Sequence, residues 1–261
     1  MLKTHAIVDI DSKDRNSGTI SNFNMIFNHP INFNSKRQYF TRIEKVRLPI
    51  SFYNIHNESG TSNGTLKVTE DPSGTPDLIS VTVPNGNYTE SELRTTIVSL
   101  LNAATLNVNT YTMTFDDITG HITITSDTTE FRIESQDSGS TINQQLGFSD
   151  SSSTFTSTSL SVTSNIHVSL STRRYLNLNT DLSSDNHYTK TVKKNVHLRI
   201  PITQSRHTIQ YYDNHEGHTT KLDNFHNIKD LRFTLTDNDN TIVDMNGVDY
   251  SFQIVFYEFR I

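Results

Sequence analysis

Residues 231–261 read LRFTLTDNDNTIVDMNGVDYSFQIVFYEFRI. Leu231, Phe233 and Leu235 alternate with other residues, as do Phe252, Ile254 and Phe256, and side chains two apart share one face of a strand. Two such strands around a connection rich in Asp, Asn and Gly predict a hairpin with both apolar faces in one core. The connection carries Asp237, Asp239, Asp244 and Asp249, which raises three readings: a metal site, a catalytic centre or a turn. Asp237, Asp239 and Thr241 stand at alternate positions, as oxygen ligands to one hard cation do. Ile242 occupies the place where a calcium loop needs Gly, the bidentate Glu is missing, and the flanks are strands. Asp and Asn tolerate tight turns, so the turn is the better reading, with the acids in water at its tip.

Working outward, strand-like runs recur at both ends of the chain. HAIVDID comes first, then SNFNMIFNHPI, where Phe23, Met25 and Phe27 share a face, then QYFTRIEKVRLPISFYNI. Toward the C-terminus follow NIHVSLSTRRYLNLNT, KNVHLRIPIT, RHTIQYYD and the closing pair. Three strands and then five make eight, each short and bounded by turn residues. That pattern predicts an all-β fold, a single jelly roll in the form of an eight-stranded antiparallel sandwich.

Between the two groups the texture changes. Residues 54–165 begin with Gly-, Pro- and Ser-rich loops around TLKVT, then hold the one convincing helix. Thr89 can N-cap it, with Glu92 three residues on completing a capping box, and Leu93, Ile97, Leu100, Leu101 and Ala104 fall on one face. A hairpin, TYTMTFDDITGHITITS, and the strand EFRIES follow; Leu146 and Phe148 of INQQLGFS return to a small core. The sequence therefore predicts a jelly roll made of residues 1–53 and 166–261, interrupted by a small α+β insertion domain at 54–165.

Composition narrows the function. The 261 residues carry a net charge of −6, read as spread along the chain without a strongly basic block, which gives no support for a nucleic-acid binder. Lys190, Lys193, Lys194, Arg173 and Arg174 read as solvated faces. The absence of cysteine excludes a disulfide framework and thiolate metal sites. MLKTHAIVDIDSKDR lacks the apolar core of a signal peptide and no later stretch is long enough to span a bilayer, so assembly in a reducing, soluble compartment is expected. The sequons at Asn57, Asn63 and Asn87 are then chance matches. YYDNHEGH offers His215 and His218 with Asp213 and Glu216 as metal ligands, yet it is not H-E-x-x-H and Gly217 and Asn214 indicate a turn. No nucleophile elbow or phosphate-binding loop is present, so no catalytic residue and no cofactor is expected.

Taken in order, VDIDSKDR, SNFNMIFNHPI, VRLPISFYNI, VTVPNGNYTESEL, NQQLGFS and the closing LRFTLTDNDNTIVDMNGVDYSFQIVF resemble the penton proteins, the single jelly roll minor capsid proteins of virophages and Polinton-like viruses. The order and spacing of these motifs, over nearly the whole chain, carry the resemblance. It implies a non-enzymatic homopentamer closing the fivefold vertices of an icosahedral shell. The shell's double jelly roll major capsid protein is its implied partner, and the insertion domain is expected to face outward, toward a host surface or a spike. It also implies a virion location after assembly in the host cytoplasm, and an acidic turn in which Asn240 stands where the family often has Gly. A receptor-binding or lectin-like jelly roll module of a spike or fibre is the alternative, although no repetitive shaft precedes the first strand; a cupin-like metal enzyme is the third reading.

Overall fold

The structure is a computed structural model that describes residues 2–57, 62–148, 155–156, 160–171, 173–182, 187–188, 193–194, 196–222 and 227–259. Lys190 lies outside the described residues, as do the side chains of Lys193 and Lys194. The chain divides into two compact units, one of Met1–Phe52 with Arg173–Ile261 and one of Tyr53–Thr172.

In the first unit eight main strands follow in order: β1 (Leu2–Asp11), β2 (Asn22–Asn32), β3 (Gln38–Pro49), β4 (Tyr175–Thr180), β5 (Leu198–Pro201), β6 (Ile209–Asp213), β7 (Asn227–Thr236) and β8 (Ser251–Phe259). They form two antiparallel sheets, ordered β1-β8-β3-β6 and β5-β4-β7-β2, with a short strand, Thr220–Leu222, also on β3 and another, Ser17–Thr19, beyond β2. Successive strands thus alternate between sheets in the jelly roll manner, except β4 and β5, which pair as neighbours in one sheet. Alternation in each strand sends Phe23, Ile43, Leu178, Ile200, Phe233 and Phe256 between the sheets, where they are buried in a single core. Pro30, which cannot donate to a ladder, falls where the β2–β7 register shifts, between the Ile31–Ile228 and Ile26–Asp230 pairs.

The closing stretch corrects the hairpin expectation. β7 and β8 belong to opposite sheets, and each has other partners on both sides. Leu231, Phe233 and Leu235 do share a core with Phe252, Ile254 and Phe256, but they meet it from opposite walls, and the Phe233 and Phe252 rings touch edge-on with centroids 5.0 Å apart. The connection can cross the gap because it carries apolar cargo of its own: Val243, Met245 and Tyr250 are buried.

The second unit has its own core, in which Leu66, Val68, Ile97, Leu101, Ile124, Phe131, Leu146 and Phe148 are fully buried. Its helix α1 (Glu90–Ala104) begins with the capping box of Thr89 and Glu92 that the sequence predicts. Leu93, Ile97 and Leu101 are buried on one face, with Leu100 and Ala104 beside them. One antiparallel sheet orders Phe155–Thr156, Phe131–Ile133, Thr65–Glu70 and Asp77–Thr82; a second orders Ser161–Thr163, Ile122–Ser126 and Tyr111–Phe115.

Two expectations need correction here. Residues 166–171, read as the start of a jelly roll strand, stay with the inserted unit. Gly147, at φ +83 after the one-turn helix Asn143–Leu146, offers its carbonyl to the Asn165 and Ile166 N–H groups, Val168 N–H reaches the Gly120 carbonyl, and Val168 and Leu170 pack on the inserted unit's core. The regular strand starts only at Tyr175 because the apolar positions before it already serve that core. The charge is also divided rather than spread. Residues 53–172 hold 13 acidic and 3 basic side chains, net −10, leaving the other residues with 15 acidic and 19 basic, net +4.

Candidate interaction surface

The outer face of the β1-β8-β3-β6 sheet brings acidic and basic side chains of several strands together. Ladder pairs align Asp11, Ser251, Arg47 and Tyr211 across the four strands, and Asp9 lies opposite Gln253. Paired residues share a face, so Asp9 and Asp11, joined by Asp14 from the turn after β1, line one edge. Lys45 and Arg47 stand further across, and Tyr211 is 73% exposed on β6. Together they border an open depression of about 490 Å³. Gln253 Nε2 donates to Asp9 Oδ1 at 2.9 Å, which fixes the acidic edge.

Next to this depression lies a polar network that sequence reading missed. Arg42 donates from Nε to Glu44 Oε1 at 3.1 Å, from Nη2 to Tyr257 Oη at 2.7 Å and from Nη1 to the Gly217 carbonyl at 3.1 Å. Tyr257 in turn donates its hydroxyl to Glu44. Burial pushes the Glu44 carboxyl up, but the hydrogen bonds from Tyr257 and Arg42 and the Arg42 charge outweigh it and hold the carboxyl below its usual range. The i, i+2 spacing of Arg42 and Glu44 was the available signal, since it places both on one strand face; the partner Tyr257, 213 residues away, was not foreseeable from spacing.

The candidate metal ligands do not converge. His215 Nδ1 lies 3.6 Å from Glu44 Oε2 with its side chain largely exposed, His218 is exposed, and the 213–217 loop is a turn in which Asn214 hydrogen-bonds the Ile43 and Glu44 carbonyls. Asp237 caps its own turn, accepting from the Asp239 and Thr241 N–H groups at 2.9 and 3.0 Å, while Asn240 takes the left-handed conformation at φ +70. Asp244 accepts from Asn246 N–H, and Asp249 accepts from Ser12 and Arg15. Among the described residues no group of three or more His, Cys, Asp or Glu side chains could hold a metal ion.

Two expectations about charge change with the geometry. Asp237 is not a free acid at a tip: its side chain is 15% exposed and its Oδ2 lies 3.8 Å from Arg173 Nε. Arg173, read as a solvated cation, is buried, with its guanidinium 5.6 Å over the Phe52 ring. A guanidinium can be buried where an aromatic face and a carboxylate share its solvation. Arg174 is exposed, as expected.

An outer sheet face with carboxylates along one edge, cations further across and an exposed tyrosine can pair with a complementary charged surface. No helix among the described residues is long and apolar enough to cross a membrane. The fold is that of an eight-stranded jelly roll interrupted between its third and fourth strands by an α+β unit. No family model matches the chain, and no curated protein matches it in sequence. Among solved structures, the crystal structure of the selenomethionine-labelled mavirus penton protein has this fold. The match has a TM-score of 0.56 over 97% of this chain and 99% of that chain, at 9% sequence identity.

Proposed function

We propose that this protein is a non-enzymatic structural subunit of an icosahedral virus capsid, forming the homopentameric vertex beside a double jelly roll major capsid protein in the virion. The observation that carries the reading is the extent of the likeness: a penton protein matches the chain from end to end, including the inserted unit and not merely the common jelly roll. The outer sheet face supports it. It offers a neighbouring subunit one charged patch, in which an acidic edge, Asp9 with Asp11, and a basic row, Lys45 with Arg47, border the same depression. The motifs that resemble the pentons, from VDIDSKDR to the closing strands, lie on both jelly roll sheets and in the insert.

The spike or fibre module remains the competing reading, because jelly rolls serve there too. Co-expression with a double jelly roll major capsid protein, followed by cryo-electron microscopy, separates the two. A vertex subunit yields closed shells whose fivefold positions hold its density. Shells that close fully without it, with this chain left in solution or attached outside a filled vertex, contradict the proposal.

A further inference from the structure

We propose that the edge strand Asp77–Thr82 of the inserted unit is a docking site for an extended basic segment of a partner protein, which adds to the sheet as a further strand. This goes beyond the vertex reading and does not depend on it. The strand pairs with Thr65–Glu70 on one side and, among the described residues, has no strand on the other. Its outward groups follow from its neighbour. Lys67 N–H donates to Ser140 Oγ and the Lys67 carbonyl accepts from Glu134 N–H, so both point away from Asp77–Thr82. Alternation then turns Leu66, Val68 and Glu70 toward their partners Val81, Ile79 and Asp77. Leu78, Ser80 and Thr82 are left with N–H and C=O groups facing outward. Their side chains are exposed as well, Leu78 by 54%.

Natural sheets blunt such edges with lysine, proline, bulges or short strands, and among the described residues several other edges show these devices, whereas β6, at the end of the first sheet, has only its five-residue length. β1 has a register irregularity between Thr4 and Ala6 and carries Lys3. β5 has four residues and ends in Pro201. The outward groups of Tyr111–Phe115 are taken by the helix: Tyr111 N–H donates to Asn102 Oδ1, and the Tyr111 and Met113 carbonyls accept from Asn102 and Arg94. Asp77–Thr82 has six residues, no register shift, no lysine and no internal proline.

Charge selects the occupant. Lys67, Arg94 and Arg132 are the only cations in residues 53–172, and each is tied to a carboxylate of the same unit: Asp137 at 2.9 Å, Glu90 at 3.0 Å and Glu134 at 2.7 Å. The unit therefore presents a net −10 with no cation left to meet an acidic partner. A second copy of the same edge would bring two such units together, which like-charge repulsion opposes. An extended segment with lysine or arginine on alternate positions gains both the ladder and the charge complementarity.

The test uses the full chain and three synthetic peptides of about eight residues: one alternating lysine with valine, its glutamate counterpart, and the lysine peptide with prolines at the ladder positions. The lysine–valine peptide should slow hydrogen exchange at the Leu78, Ser80 and Thr82 amides, with an affinity that falls as salt rises. The other two should bind at least about tenfold more weakly. Ser80→Pro removes an outward donor without breaking a ladder bond, and Leu78→Lys leaves the backbone intact while adding a repelling charge; both should abolish the protection. Equal binding of the glutamate peptide, protection elsewhere but not at these three amides, or dimerisation through this edge would each overturn the proposal.

Discussion

At the scale of single residues, two carboxylates carry more structure than charge counting suggests. Asp237 holds two backbone N–H groups and faces buried Arg173, so Asp237→Asn, which keeps the acceptor, should cost less than Asp237→Ala. We expect about 2 kcal/mol for the alanine variant and within about 0.5 kcal/mol for Asp239→Asn, measured by chemical denaturation. Equal effects at the two positions would contradict the capping role. Glu70 is fully buried, and its carboxylate accepts from Thr105, Asn109 and Tyr111 side chains and from the Leu106 and Asn107 N–H groups. Burial pushes its carboxyl up, but those hydrogen bonds prevail and hold it below the usual range. A depressed folded value means that the stabilisation is complete above the unfolded value, about 4.3, and is lost as pH falls through the lower folded one. Scanning calorimetry should therefore show an acid limb in stability that Glu70→Gln flattens, with a loss of about 2 kcal/mol at neutral pH. An unchanged acid limb would refute this. Neither role was legible in the sequence: Glu70 follows TLKVT as an ordinary strand end, and its donors lie 35 to 41 residues on.

At the scale of elements, alternation and capping were legible because they are local. Thr89 and Glu92 announced α1, and Phe23, Met25, Leu231, Phe233 and Phe252 announced which strand faces turn inward. Sheet membership was not legible, since β7 and β8 have the same local pattern whether they pair with each other or face across a core. The buried Val243 and Met245 were the clue that the acidic stretch is an inter-sheet crossing. Phe252 touches Phe233 and Tyr250 in that crossing, and Phe252→Ala should cost about 3 to 5 kcal/mol by removing a packed ring. Phe259→Ala, on the same strand but 38% exposed, should cost much less; similar losses would mean that β8 does not face the core as described.

At the scale of the whole molecule, the division into two units has a consequence for folding. Arg173 lies over Phe52, so the last residue before the inserted unit and the first after it meet within the jelly roll. We propose that the inserted unit folds on its own core: joining Phe52 to Arg173 through a short glycine linker should leave a cooperatively folding β protein, and loss of its calorimetric transition would show that the two parts are one domain. The boundaries were partly legible, because the change in texture after Tyr53 is abrupt, whereas the return is blurred by Val168 and Leu170, whose alternation resembles a strand and whose burial belongs to the insert. The central claim, a subunit built to close a fivefold ring, is tested most directly by the native mass of the purified chain, measured by light scattering across a range of concentrations. The account predicts a closed species of five times the 29.7 kDa chain mass. A strict monomer, or a trimer of the kind a spike would form, would contradict it.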